Sequence, residues 1–146
     1  MKQEQKDLLI KDLCARLPYG VKFKHINKSK VCKILSITPV YDDVVYFDEY
    51  INEPKKCYID DVKPYLFSLS SMTEEQKYDF YCRFIVNDCD FDDFKEFYLD
   101  NGMWHKLLAM LDDIESIIDW FHKNHFDWRG LIPKRLANDA TGKNIY

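Results

Sequence analysis

Apolar residues first recur with helical spacing. Ile10, Leu13, Cys14 and Leu17 stand at i, i+3, i+4 and i+7, one face at 3.6 residues per turn, and predict a helix over Glu4–Arg16. Pro18 ends it by pushing the preceding residue out of the right-handed helical region. Gly20 lets the chain turn without a Cβ penalty. The period then drops towards two. Val21–Ile26 alternates apolar and polar as a half-buried strand does, and Asn27-Lys28-Ser29 supplies turn chemistry. Val31–Ile37 is a second strand, broken by Pro39 and Asp42-Asp43. Val44–Phe47 is a third, followed by a turn at Asn52-Glu53-Pro54. Cys57–Ile59 is a short fourth. Val62–Phe67, interrupted by Pro64, reads as an edge strand or extended segment.

At Ser71 the pattern becomes helical again. Thr73 with Gln76 three residues on forms a capping box, and Glu74 and Glu75 suit the positive end of a helix running to about Val86. Asn87–Asp90 is a break. Asp90 caps a short helix over Phe91–Leu99, closed by Asn101-Gly102. Trp104–Leu111 is another short helix. Asp112 or Asp113 caps the next, with Ile114, Ile117, Ile118 and Phe121 on one face and an end near Asn124-His125. Gly130 marks a turn, Leu131–Ala137 a last helical turn, and Asn138–Tyr146 an extended tail on which Tyr146 docks its ring.

These elements predict one α+β domain over residues 1–146. An N-terminal helix covers a small antiparallel β-meander or barrel-like sheet within 1–70, and a helical half occupies 71–146. A chain of 146 residues buries about two thirds of its unfolded surface, enough to fold without a metal or disulfide. Aromatics at 16% exceed what disordered chains carry.

The five cysteines, Cys14, Cys32, Cys57, Cys82 and Cys89, form no C-x-x-C pair. The charged N-terminus does not resemble a signal peptide, and no window reaches the roughly 18 apolar residues of a membrane span. A reduced, cytoplasmic setting with free thiols follows as the expectation, most cysteines acting as small buried hydrophobes. Net charge is −4, unevenly placed. Residues 1–40 hold nine basic and three acidic residues, and 41–146 hold twelve basic and twenty-two acidic.

The densest chemistry lies in Ile117–Ile132. His122 and His125 stand three apart near a helix end, and Asp119 precedes His122 by three, yet zinc needs about four ligands. The simpler reading has His125 at the helix C-terminus, where a cationic ring suits the dipole, and His122 exposed. Trp120, Phe126 and Trp128 then form a small core that clamps the helical half to the sheet, with Arg129 paired to Asp127 or Asp119. Asp88-Cys89-Asp90-Phe91-Asp92-Asp93 opens like a calcium loop, but its sixth position is Asp93 and its twelfth Leu99, where glycine and glutamate are required. Thr141-Gly142-Lys143 lacks the upstream glycine of a phosphate-binding loop. No cofactor, metal ligand set or catalytic residue is assigned.

Two binding surfaces are predicted. The favoured one is an acidic, aromatic-rich stretch carrying Asp88, Asp90, Asp92, Asp93, Glu96, Phe97 and Trp104, suited to a basic protein partner. The alternative is the basic hairpin Lys22, Lys24, Lys28, Lys30 and Lys33, with His25, Tyr19 and Phe23 nearby, which could track a phosphate backbone. Lysines on a hairpin also discourage edge-to-edge aggregation, and the chain as a whole is acidic. A third class, a metal-dependent enzyme through His122 and His125, has the least support.

Leu13–Val21, Ile59–Leu66, Leu69–Glu75, His125–Ile132 and Asp139–Tyr146, about a third of the chain, resemble a family of small uncharacterised proteins from gut anaerobic bacteria and their phages. The resemblance implies a phage or mobile-element setting and a cytoplasmic site of action. This chain departs from the family at Arg135, where members tend to carry glycine before Leu136-Ala137, and residues 82–112 are its own. The expected function is a non-catalytic protein-binding module that binds and modulates a host protein.

Overall fold

The computed structural model describes residues 1–25, 31–48, 52–85, 90–96 and 113–146. The chain is α+β, as its periodicities predict. Helix α1 (Gln3–Arg16) is followed by β1 (Lys22–His25), β2 (Val31–Thr38), β3 (Asp43–Asp48), β4 (Glu53–Tyr58) and β5 (Val62–Leu66). Helices α2 (Glu74–Phe84), α3 (Phe91–Phe94) and α4 (Ile114–Lys123) come next, and a two-residue strand β6 (Asn138–Asp139) lies in the tail.

The expected antiparallel meander holds for β1–β4, but the sheet does not stop there. Its order is β4-β3-β2-β1-β5-β6, so β5 returns past the meander to pair with β1. The β5–β6 pairing is parallel, which makes the sheet mixed, and it is open rather than barrel-like. β5 therefore lies inside the sheet, not at its edge, although β6 meets only its Tyr65 and Leu66. The edges are β6 and β4, and β4 begins at Glu53, inside the stretch expected to turn. An edge strand accommodates Pro54 because a proline has no N–H to give to the ladder. A bulge between Ile34 and Ser36 leaves Leu35 exposed.

Two apolar cores follow from this layout. Phe23, Cys32, Ile34, Val44, Tyr46, Val62 and Leu66 line the inner sheet face and meet Leu9 and Leu13 of α1. Full burial of a leucine contributes about 1.5–3 kcal/mol. The second core is aromatic: Phe80, Phe94, Trp120, Phe121 and Phe126 join α2, α3 and α4, with the Phe80 ring 5.2 Å from Trp120 and 5.7 Å from Phe121.

Helix ends behave as their sequence requires. Thr73 Oγ1 accepts the Gln76 amide while Gln76 Oε1 accepts the Thr73 amide. The Asp90 side chain accepts from Asp92 N, and that of Asp113 from Ser116 N, which settles the choice between Asp112 and Asp113. α4 buries Ile117, Trp120, Phe121 and His122, a face rotated from the expected one, with Ile114 exposed. Residues 131–137 form turns instead of a helical turn. Arg135 there has φ 61°, and Leu136 N and Ala137 N both reach back to Leu131 O, which a helix does not allow. The expected helix Trp104–Leu111, the Asn101-Gly102 cap and Cys89 lie outside the described residues. Cys32 and Cys57 are buried, Cys14 is half-buried and Cys82 is exposed. No helix among the described residues is long and apolar enough to cross a membrane.

Candidate functional site

The two cores meet along a buried polar seam. Leu9, Asp12, Leu13 and Arg16 stand at i, i+3, i+4 and i+7 on α1 and are all fully buried. The apolar pair faces the sheet. The charged pair forms a two-pronged bridge, with Arg16 Nε 2.6 Å from Asp12 Oδ2 and Nη2 3.2 Å from Oδ1. Arg16 Nη2 also donates to the Phe126 carbonyl at 2.8 Å, tying α1 to the turn after α4. Arg129 Nε lies 3.3 Å from Asp12 Oδ1, so one buried carboxylate serves two guanidiniums. Arg129 thus pairs across the fold with Asp12 and not with Asp127 or Asp119. Asp127 instead accepts the Leu131 and Ile132 amides at 2.7 Å, and Asp119 accepts the Tyr19 hydroxyl, a bond that raises the phenol's pKa.

Both histidines correct their expectations. His122 is 4% exposed, not solvated, and Trp128 Nε1 donates to its Nε2 at 3.0 Å. A ring nitrogen that accepts an N–H carries no proton, so the ring is neutral with its hydrogen on Nδ1. Burial, reinforced by Arg16, holds its pKa down at about 4. The 3.9 Å approach of Asp12 Oδ1 to Nε2 is therefore not an ion pair. His125 follows the helix with φ 58° and is likewise neutral, its pKa pushed to about 4 by burial and by Arg16 and Lys22. It is no cationic cap. Tyr146 stacks on it, ring centroids 3.7 Å apart, so the tail does dock its final ring. The Tyr146 hydroxyl donates to the Tyr65 carbonyl at 2.7 Å and accepts the Lys22 amide at 3.3 Å, and burial pushes the phenol up to about 12.

Main-chain bonds fix this corner to the sheet. Phe67 N donates to His125 O at 2.9 Å and Asp127 N to Phe67 O at 2.8 Å, making Ile117–Ile132 the clamp its composition suggested. Among the described residues, Arg16 Nη1, His125 Nδ1 and Arg129 Nε of the seam make no hydrogen bond, the last facing Asp12 as an ion pair alone. Such a seam specifies how two layers fit together. Asp119 is exposed and bound to Tyr19, and no group of three possible metal ligands occurs among the described residues.

The predicted surfaces lie elsewhere. Asp90, Asp92, Asp93 and Glu96 are exposed around α3, whose Phe94 is fully buried. Asp88, Phe97 and Trp104 lie outside the described residues, as do Lys28 and Lys30 of the hairpin. Lys22 is engaged by the tail, its Nζ 2.6 Å from Ile145 O. Lys24 and Lys33 are exposed on the outer sheet face. Sequence reasoning missed Asp12 and Arg16, although their signal was present: the true inner face of α1 starts one residue before the all-apolar face. Lys63 was missed because only strand register brings it beside the hairpin, and Lys56 because only register puts it on the same sheet face, beyond β3.

Comparison with known protein families, curated proteins and solved structures finds no match.

Proposed function

We propose that this chain is a non-catalytic binding module that recognises a basic surface on another protein through the acidic face of α2 and α3. The observation that carries this reading is the build of that face. Phe94 anchors α3 in the aromatic core, and Asp90, Asp92, Asp93 and Glu96 stand exposed around it. Tyr78 of α2 is 55% exposed, with its ring edge-on to Phe91 at 5.1 Å. An exposed tyrosine packed on α3, next to the exposed carboxylates of Asp90, Asp92, Asp93 and Glu96, combines a contact residue enriched at interfaces with charge that steers a basic partner. The fixed row of acids can also imitate a nucleic-acid backbone toward such a partner. The phage or mobile-element setting implied by the sequence resemblance fits a cytoplasmic accessory protein that binds and modulates a host protein.

The test is capture from a lysate of a gut anaerobic bacterium, comparing the native chain with Tyr78→Ala and with Asp92→Lys/Asp93→Lys. The reading expects a basic protein retained by the native chain at low salt and lost from both variants. Equal recovery with all three chains, or none with the native chain, overturns it.

A further inference from the structure

The inner face of the sheet is filled by α1, and the outer face carries a consistent chemistry. Strand alternation places Lys22 and Lys24 of β1, Lys33 of β2, Lys56 of β4 and Lys63 of β5 outward, against one outward carboxylate in these strands, Asp43 at the end of β3. Register sets Lys22 directly opposite Lys33 and Lys24 directly opposite Lys63. Like charges directly opposite one another destabilise a sheet. Neither cross-strand pair is relieved by a carboxylate: among the described residues Lys24, Lys33, Lys56 and Lys63 make no ion pair. Three aromatics share the face: Phe47, Tyr65 and, opposite Asp43 at the end of β4, Tyr58. Phe47 of β3 is the cross-strand neighbour of Lys33, and Tyr65, with Lys143 Nζ over one side of its ring, follows Lys63 by two residues; both are half-buried.

We propose that this outer face is a binding site for single-stranded nucleic acid, with Lys24, Lys33, Lys56 and Lys63 on phosphates and Phe47 and Tyr65 stacking bases. The site is distinct from the acidic face of α2 and α3 and opposite to it in charge. Charge complementarity selects the occupant: a polyanion neutralises opposed lysines that the fold itself leaves uncompensated. The aromatics select a single strand, because a duplex hides its base faces while an open strand offers them to a sheet. The face from β5 to β4 spans four inter-strand steps, about 19 Å, enough for a few nucleotides. The tail bounds the site. Lys22 Nζ is held by Ile145 O, and Lys143 Nζ lies 5.6 Å from the centre of the Tyr65 ring.

The test is fluorescence anisotropy with labelled oligo-dT and oligo-rU, a matched duplex, and heparin as competitor, on the full chain. Four phosphate contacts on a single strand give a log–log salt slope of about −2.8, or roughly 50-fold weaker binding from 50 to 200 mM salt. Lys33→Glu/Lys63→Glu is expected to weaken binding at least tenfold and to flatten the slope. Phe47→Leu keeps apolar packing and removes the stacking ring; it is expected to weaken single-strand binding at least fivefold with the slope unchanged. Circular dichroism of each variant confirms the fold. Absence of single-strand binding at 50 mM salt, duplex or heparin bound as tightly as the single strand, or folded variants that bind like the native chain would each overturn the proposal.

Discussion

Replacing Asp12 by alanine removes the one carboxylate that compensates two arginines inside the fold. Arg16 is fully buried and would lose both prongs, at 2.6 and 3.2 Å, keeping only the Phe126 carbonyl, while its Nη1 has no partner even in the native chain. Arg129 would lose its partner at 3.3 Å. Breaking a buried pair by removing one member costs about 3–5 kcal/mol, because the other charge stays desolvated. For a chain of this size that corresponds to a fall in Tm of roughly 6–20 °C. Urea titration followed by tryptophan fluorescence and by circular dichroism measures it, since Trp120 and Trp128 flank the seam. Asp12→Leu/Arg16→Met/Arg129→Met separates charge from packing: with all three charges gone, stability should return to within about 2 kcal/mol of the native chain. A loss below about 1 kcal/mol for Asp12→Ala would refute the reasoning, showing that water reaches Arg16.

Other outcomes follow from the same geometry. His122 and His125 have folded pKa values of about 4 against 6.5 for the free ring, so the unfolded chain binds more protons in between. Their contribution is present above pH 6.5 and is lost as pH falls towards 4; from pH 7 to pH 5 the native chain should lose about 4 kcal/mol, and His122→Gln/His125→Asn much less. Tyr146→Ala should let water reach His125 and raise its pKa, which an NMR titration of the imidazole reads directly. Arg135→Gly should stabilise the chain by about 0.5 kcal/mol, because left-handed backbone costs a residue with a side chain about 1–2 kcal/mol and glycine's extra unfolded entropy offsets only part of that. Thr73→Ala should cost about 1 kcal/mol through loss of the cap, seen as a lower urea midpoint.

Elements with strong local signals were legible in the sequence. Capping at Thr73, Asp90 and Asp113, the helix break at Pro18 and the alternation of β1–β3 all depend on neighbours within a few residues. What depends on distant partners was not. The return of β5 to β1 is a choice of edge, and Val62–Leu66 carries no mark of which strand it will meet. Arg129 sits among nearby acids, and only the folded chain brings Asp12 closer. The α1 face was misread because a buried Asp12–Arg16 pair looks like solvated surface until its partners are known. Arg135 was not legible: it adopts a left-handed backbone, φ 61°, that nothing in an arginine announces.

The central claim, that a protein partner docks on the acidic face of α2 and α3, is tested most directly by hydrogen–deuterium exchange of the chain with and without its captured partner. The account predicts slowed exchange confined to residues 74–96, with strands β1 and β2 unchanged. Protection on the sheet without protection of 74–96 would contradict it.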